Sequence, residues 1–319
     1  MIRSWRVEAG GELTVREHPL PAVDEDRVVV EVHGAVIGRA ERAALTEDTE
    51  RVCGGAAAGV VVDTGPAATE LRDKRVLVGP LMPCGECDTC RRGAAAACPH
   101  GDRLGATVDG AVASHVVARG RWLLPLENEL EVPGPNAALL AREAAVAYAA
   151  FARAGIHPSE PVLVVGDGLV ARFVAEVAAA KGAQPFVATA DVEERLAAAG
   201  HADKPRRIFE TTADNEARQR AVALCNPGAT ITLLSAFAAG ARRQAGQVEV
   251  EPWLSDHAQV LGCAGAHPDF FAEVVALAVR EQLDIGRDAR VIGPSELAEA
   301  VRQGDAPSAT AWLLDPRTR

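Results

Sequence analysis

Aromatic residues are scarce: the chain has one Tyr, four Trp and seven Phe, 4% of 319 residues. Only two Met add to them. The core must therefore be filled by aliphatic side chains and alanine, in keeping with 48% hydrophobic and 24% charged residues, a globular balance. No apolar run approaches the ~20 residues that cross a bilayer. The first residues, MIRSWRVEAGGELTVREHPL, contain no apolar signal core. A basic excess is missing as well. The net charge is -11, whereas a nucleic-acid partner calls for a basic face. These absences argue against a membrane span and a nucleic-acid partner, and predict a cytoplasmic protein. At this length the chain can hold two ordinary domains.

Seven cysteines are present. Four of them, Cys84, Cys87, Cys90 and Cys98, stand close together in CGECDTCRRGAAAAC. Four thiolates at such spacing can close a tetrahedral shell around one Zn²⁺ at about 2.3 Å per bond, with no position open for water or substrate. The spacing thus predicts one structural zinc that pins a loop. A disulfide pair, an iron–sulfur cluster or unrelated thiols are the rivals, and a reducing compartment favours the metal.

Short β-branched runs fill the first part of the chain: Arg27–Val32, Val60–Asp63, Arg75–Val78 and Gly110–Val117. Many strands with few helices suggest a small barrel-like domain. From about Asn136 the texture changes. Ala137–Ala154 is alanine-rich with helical period, and PVLVV (Pro161–Val165) runs into a glycine turn and the helical LVARFVAEVAAAKGA. Strands at Pro185–Thr189, Arg207–Glu210, Ala229–Ser235 and Val260–Ala264 alternate with helices at Glu193–Ala199 and Asp214–Leu224. Such alternation is the signature of a parallel sheet. One more helix, Phe270–Arg280, and a closing strand, Ala309–Leu314, follow. Gly166, Gly168 and Ala171 form G-x-G-x-x-A between strand and helix. There the backbone can approach a pyrophosphate, and the helix N-terminus offers free N–H groups.

The cysteine stretch resembles the structural-zinc lobe of the zinc-containing alcohol dehydrogenases, in the medium-chain dehydrogenase/reductase superfamily. The resemblance implies an α/β protein: a GroES-like β-barrel domain with a zinc lobe, plus a Rossmann domain with a doubly wound parallel sheet. The expected boundaries are 1–135 for the barrel domain with its lobe at 84–98, 136–262 for the cofactor domain, and 263–319 for a segment returning to the first domain. NAD or NADP is the implied cofactor. Family spacing puts the ribose reader at Ala190, and a one-residue slip would let Asp191 serve; Arg195 is the nearest basic residue on that side. Family members commonly pair Rossmann sheets edge to edge, so a homodimer is implied, with ATITLLSAF and QVLGCAG at the edge.

In that family a second zinc is catalytic, and this sequence departs at all three ligand positions. Ile37 stands at the first cysteine position, with Arg39 and Ala40 in place of Thr-Asp. Gly55 and Ala56 replace His-Glu. Ala141 stands where a Cys or Glu would open the next helix. Catalytic zinc needs three protein ligands, and Ile, Gly and Ala supply none. Cys53, two residues before Gly55, or Glu143, two after Ala141, could act as a displaced ligand; otherwise Cys53 is a small buried residue and Glu143 a charge on a helix surface. Arg39, Glu41, Arg142 and Glu143 could converge on the vacated pocket as ion pairs in place of the metal. Arg39 or Arg142 could instead bind an anionic substrate, or all four could be solvated charges. Arg39, His115 and Glu143 are the candidate catalytic residues; His33 and His115 have structural readings too.

The expected function is an NAD(P)-dependent oxidoreductase acting without catalytic zinc on a small carbonyl, alcohol or activated alkene. The alternative is a non-catalytic descendant that keeps fold and structural zinc as a binding or assembly protein.

Overall fold

The computed structural model describes residues 1–8, 11–46, 51–126, 134–201, 203–212, 214–234, 257–263, 265–287, 289–303 and 311–318. The first part is built of strands β1 (Ile2–Val7), β2 (Leu13–His18), β3 (Arg27–Ile37), β4 (Ala57–Thr64), β5 (Arg75–Val78), β6 (Leu81–Met82), β7 (Asp102–Arg103), β8 (His115–Arg119) and β9 (Leu124–Pro125). Helix α1 (Arg39–Thr46) follows β3, and the single turn α2 (Asp88–Arg91) lies inside the cysteine lobe. β3 is the spine, pairing antiparallel with both β4 and β8. The sequence suggests that it ends near His33. It continues to Ile37, with register irregularities at Val29/Val30 and Val32/Gly34 that let it bend around the barrel.

The cofactor-type domain holds α3 (Ala145–Arg153), β10 (Pro161–Val165), α4 (Leu169–Ala180), β11 (Gln184–Val187), α5 (Val192–Ala198), β12 (Arg207–Glu210), α6 (Asn215–Ala223), β13 (Thr230–Leu234) and β14 (Gln259–Cys263). All pair in parallel, in the order β11-β10-β12-β13-β14. Side-chain alternation places helices on both faces. Val162, Val164 and Phe209 join one core with α3 and α4. Leu163, Val165 and Ile208 join another with α5 and α6. The strand order reverses between β10 and β12, the point where doubly wound sheets open a ligand crevice. β11 is the outer strand among the described residues. Pro185, which has no N–H to offer a further strand, suits that place.

The last elements are α7 (Phe270–Val279), β15 (Ala289–Ile292), α8 (Leu297–Arg302) and β16 (Ala311–Leu314). β16 pairs with the end of β3, Trp312 opposite Ile37, so the tail closes the seven-stranded barrel sheet. One core runs through the seam: Val36, Ala56 and Leu77 from the barrel share it with Leu139, Leu140, Phe173 and Phe271. Phe271 is 1% exposed, and a Cβ added to Gly79 would meet its ring at 2.3 Å. Gly79 has to be a glycine for α7 to seat on the barrel. Truncating Phe271 to Ala should empty this contact and cost about 3–5 kcal/mol, read as a lower urea midpoint with unchanged slope. No helix among the described residues is long and apolar enough to cross a membrane.

Candidate active site

The four lobe cysteines come together as their spacing predicts. Their sulfurs lie 3.5 Å apart for Cys84–Cys98, 3.6 Å for Cys87–Cys90, and 3.9 Å for Cys84–Cys90 and Cys87–Cys98. A tetrahedron with ~2.3 Å metal–sulfur bonds has edges of about 3.8 Å. These distances are far beyond a disulfide's ~2.05 Å, and they leave room for a single ion. Cys84 N donates to Cys98 Sγ and Cys87 N to Cys84 Sγ, both at 3.4 Å. The N–H groups of Glu86 and Cys87 hold the Cys84 thiol down to about 6. Trp122 Nε1 donates to Pro83 O at 2.8 Å and so ties the lobe to the barrel.

A buried charge set forms where Gly38, Gly55 and the Leu140–Ala144 turn meet Glu41. Glu41 stands in the first turn of α1, and its Oε2 accepts from Gly38 N at 3.0 Å, as the third-position carboxylate of a capping box does. Its Oε1 accepts from Gly55 N at 3.3 Å and from Arg142 Nη1 at 2.5 Å. Arg142 Nε and Nη2 both reach Glu143 Oε1 at 2.7 Å. The side chains of Glu41, Arg142 and Glu143 are 3%, 10% and 9% exposed. Gly55 thus gives its backbone N–H to a carboxylate. A Cβ at Gly38 would stand 2.6 Å from Arg142 Nη2.

A local feature of the backbone aims both charges inward. Leu140–Ala144 is one π-helical turn in front of α3, and all five of its residues are buried. The wider turn lets consecutive Arg142 and Glu143 share one interior, which ordinary helical spacing does not favour. Burial works against the Arg142 charge, yet Glu143 and Glu41 outweigh it and hold the guanidinium above its ordinary value. Burial pushes the Glu143 carboxyl up, against the pull of Arg142. Glu143 is therefore not a charge on a helix surface, and the solvated-charge reading fails for Glu41, Arg142 and Glu143 alike. The guanidinium is fully engaged by carboxylates, so it does not present the free fork that anionic-substrate binding needs.

Arg39 opens α1, but its side chain lies outside the described residues. Cys53 is buried, and burial followed by the Glu41 charge pushes its thiol up. It does not join Glu143 as a displaced ligand. Among the described residues the one group of His, Cys, Asp or Glu atoms close enough to share a metal is the cysteine lobe. His115 begins β8, bonds Ser114 Oγ at 3.0 Å, and is held below its usual value by burial. The charges acting on it are Glu31, the N-terminal amine and Arg3, not the buried set. His33 bonds Glu31 Oε2 at 3.0 Å within β3.

The glycine turn lies at the strand-order reversal. Gly166 has φ +123°, and a Cβ there would come 2.2 Å from Thr211 Oγ1, so the turn folds tightly against the end of β12. Gly168 precedes α4, and Ala171 is buried under it. Asp191 is exposed just before α5; the Thr189 hydroxyl donates to it at 2.5 Å and holds its carboxyl below the usual range. Arg195 Nη1 donates to Thr189 Oγ1 at 3.1 Å and Arg220 Nη2 to Thr189 O at 2.9 Å. The glycine turn and the α4 N-terminus have the form that lets a backbone approach a pyrophosphate.

Residues 24–128 match the family model of the alcohol dehydrogenase GroES-like domain. L-galactonate-5-dehydrogenase of Escherichia coli K12 is 26% identical over 249 residues, 70% of each chain. Sorbitol dehydrogenase of Bacillus subtilis 168 is 26% identical over 199 residues, 59% of this chain and 55% of that one. A dehydrogenase fold from Sinorhizobium meliloti 1021, solved bound to NADP, superposes over 99% of both chains with a TM-score of 0.83 at 21% identity. Residues 24–128 thus form an alcohol dehydrogenase GroES-like domain, and the chain is similar to zinc-type dehydrogenases over most of its length. It combines a GroES-like barrel with a Rossmann-like parallel sheet, and a buried ion-pair set lies where the two meet. Sequence reasoning missed the π turn and the two backbone N–H groups on Glu41. A signal was there: a lone Arg-Glu pair inside LLAREAAVA, and glycines at both positions that must let charge approach.

Proposed function

We propose that this chain is an NAD(P)-dependent oxidoreductase of the medium-chain dehydrogenase/reductase superfamily that works without a catalytic metal and carries one structural zinc on Cys84, Cys87, Cys90 and Cys98. The observation that carries the reading is the Glu41–Arg142–Glu143 set beside Gly55, together with a glycine turn that keeps its shape. Gly166, Gly168 and the α4 N-terminus would hold the pyrophosphate, with Ala171 packed behind them, and Asp191 would take the ribose 2′-OH. When bound, the dinucleotide supplies or takes the hydride. This chain orients the substrate at the seam, excludes water through the shared core, and handles the proton. Without a metal to polarise an oxygen, a small carbonyl, alcohol or activated alkene is the substrate class, and reduction of an activated alkene needs the least help. The relatives' sugar and polyol substrates are consistent with small polar molecules. The cytoplasm, which keeps four thiolates reduced, is the proposed setting. A homodimer joined along β14, where Gln259, Val260 and Gly262 are exposed, is the proposed assembly.

A second reading has its own support. The buried set closes the former metal position, as a non-catalytic descendant acting as a binding or assembly protein would tolerate. Titration with NADH and NADPH by nucleotide fluorescence separates the two. The oxidoreductase reading predicts saturable binding of at least one nucleotide, lost in Gly166→Val, where a side chain meets Thr211. No binding at large excess of either would favour the second reading.

A further inference from the structure

Glu143 uses only half of its carboxyl. Its Oε1 receives both Nε and Nη2 of Arg142, whereas Oε2 is buried and takes no hydrogen bond. Glu41, by contrast, is saturated by Gly38 N, Gly55 N and Arg142 Nη1. Two buried carboxyls thus share one guanidinium. If both were ionised the set would carry an uncompensated negative charge with one bare oxygen, an arrangement interiors avoid by taking up a proton. The bare oxygen is where that proton belongs. Burial pushes Glu143 in the same direction, and the described charges acting on it are Arg142 and Glu41.

The place matters as much as the proton. The Leu140–Ala144 turn packs against β5 of the barrel and against α4 and α7 of the cofactor domain, so Glu143 sits on the seam between them. Ala141, two residues before it, stands at the missing third ligand's position.

We propose that Glu143 is the proton donor at this seam. It holds a proton on Oε2 at neutral pH and hands it to the oxygen of a small carbonyl substrate. The proposal rests on the oxidoreductase reading. A reduced nicotinamide, when bound, would supply the hydride to the carbonyl carbon, and Glu143 would give the proton on Oε2 to the carbonyl oxygen as the C=O π pair moves onto it. The products are the alcohol, the oxidised nucleotide and the Glu143 carboxylate, which regains a proton from water. Arg142, bonded to Oε1, stabilises that carboxylate, so the donor can turn over.

The first test needs no cofactor. Infrared difference spectra of the wild-type chain against Glu143→Gln should show a neutral carboxyl band that persists around pH 7 and is absent from the variant. A carboxylate band instead overturns the proposal. The second test uses NADH or NADPH with small ketones and enones. Glu143→Gln should lower kcat by about 10²–10⁴-fold, leave nucleotide affinity intact and abolish the wild-type fall of rate at high pH. Should Glu143→Gln fail to fold, Glu143→Asp keeps the carboxyl and should retain a high-pH fall at a shifted midpoint. An unchanged kcat and pH profile in the variant overturns the donor role. Absence of any nucleotide binding overturns the oxidoreductase reading and the donor role with it, while the infrared result still fixes whether Glu143 holds its proton.

Discussion

Arg142→Met lowers the stability of the chain by about 3–5 kcal/mol, because it leaves Glu41 and Glu143 buried without their cation. The effect depends on pH with a definite sign. The folded state already holds the Glu143 carboxyl above its unfolded value of about 4.3. A raised folded value means that the folded state binds the proton more tightly. Its contribution is therefore full below that unfolded value and is lost as pH rises through the folded one. Removing Arg142 takes away the pull that opposes burial at Glu143 and pushes that carboxyl further up, so the Met variant should lose most stability at neutral and alkaline pH and recover toward acid. Urea midpoints across a pH series measure this. The triple variant E41L/R142M/E143L should fall within a few kcal/mol of wild type, since well-packed apolar residues often replace buried ion sets without loss. A harmless Arg142→Met, or a triple variant as damaged as the single, would mean that the set does not hold the seam.

Loss of the proposed lobe zinc has the other large expected effect. Cys98 is the buried member of the four and Cys84, Cys87 and Cys90 are half-buried. Residues 84–98 contain just one helical turn, α2, and a short 3₁₀ turn, Ala95–Ala97, too little backbone bonding to order the loop alone. Apparent binding energies of about 10–16 kcal/mol for four-ligand zinc peptides show what the ion can contribute. Cys98→Ser should bring zinc from one per chain to none and open 84–98 to limited proteolysis. It should also shift Trp122 emission as the bond from its indole to Pro83 loosens. The sheet of β3, β4, β5 and β8 should stay folded, since its core is built from Val28, Val30, Val61 and Val76, away from the sulfurs. An unchanged protease pattern after zinc removal would show that the loop is ordered without metal.

Much of this was legible in the sequence because it depends on local rules. The cysteine spacing announces the sulfur cage. The β10 run into Gly166 and Gly168 announces the turn, and the alternation of buried strands with helices announces the parallel sheet. What was not legible depends on atoms brought together over long separations. Glu41 and Arg142 meet from distant parts of the chain, and no period predicts that meeting. The π turn at Leu140–Ala144 is a departure from ordinary helix geometry, so helical periodicity places Glu143 on the surface when it is in fact inside. β3 outruns its sequence signal for a related reason: irregular pairing around Val32 and Gly34 carries it past His33. The sequence shows Ile37, Gly55 and Ala141 at the positions the resemblance points to, but only the fold shows that the N–H groups of Gly38 and Gly55 both bind the Glu41 carboxylate.

Native mass spectrometry of the purified chain, with and without excess NADH and NADPH, tests the central claim most directly because it counts metal and nucleotide on the same molecule. The account predicts one zinc per chain, unchanged by added zinc, and one nucleotide per chain when a dinucleotide is supplied. Two zincs per chain would contradict the metal-free pocket and return attention to Cys53 and Glu143. One zinc with no nucleotide adduct would contradict the oxidoreductase reading and leave a binding protein on a dehydrogenase fold.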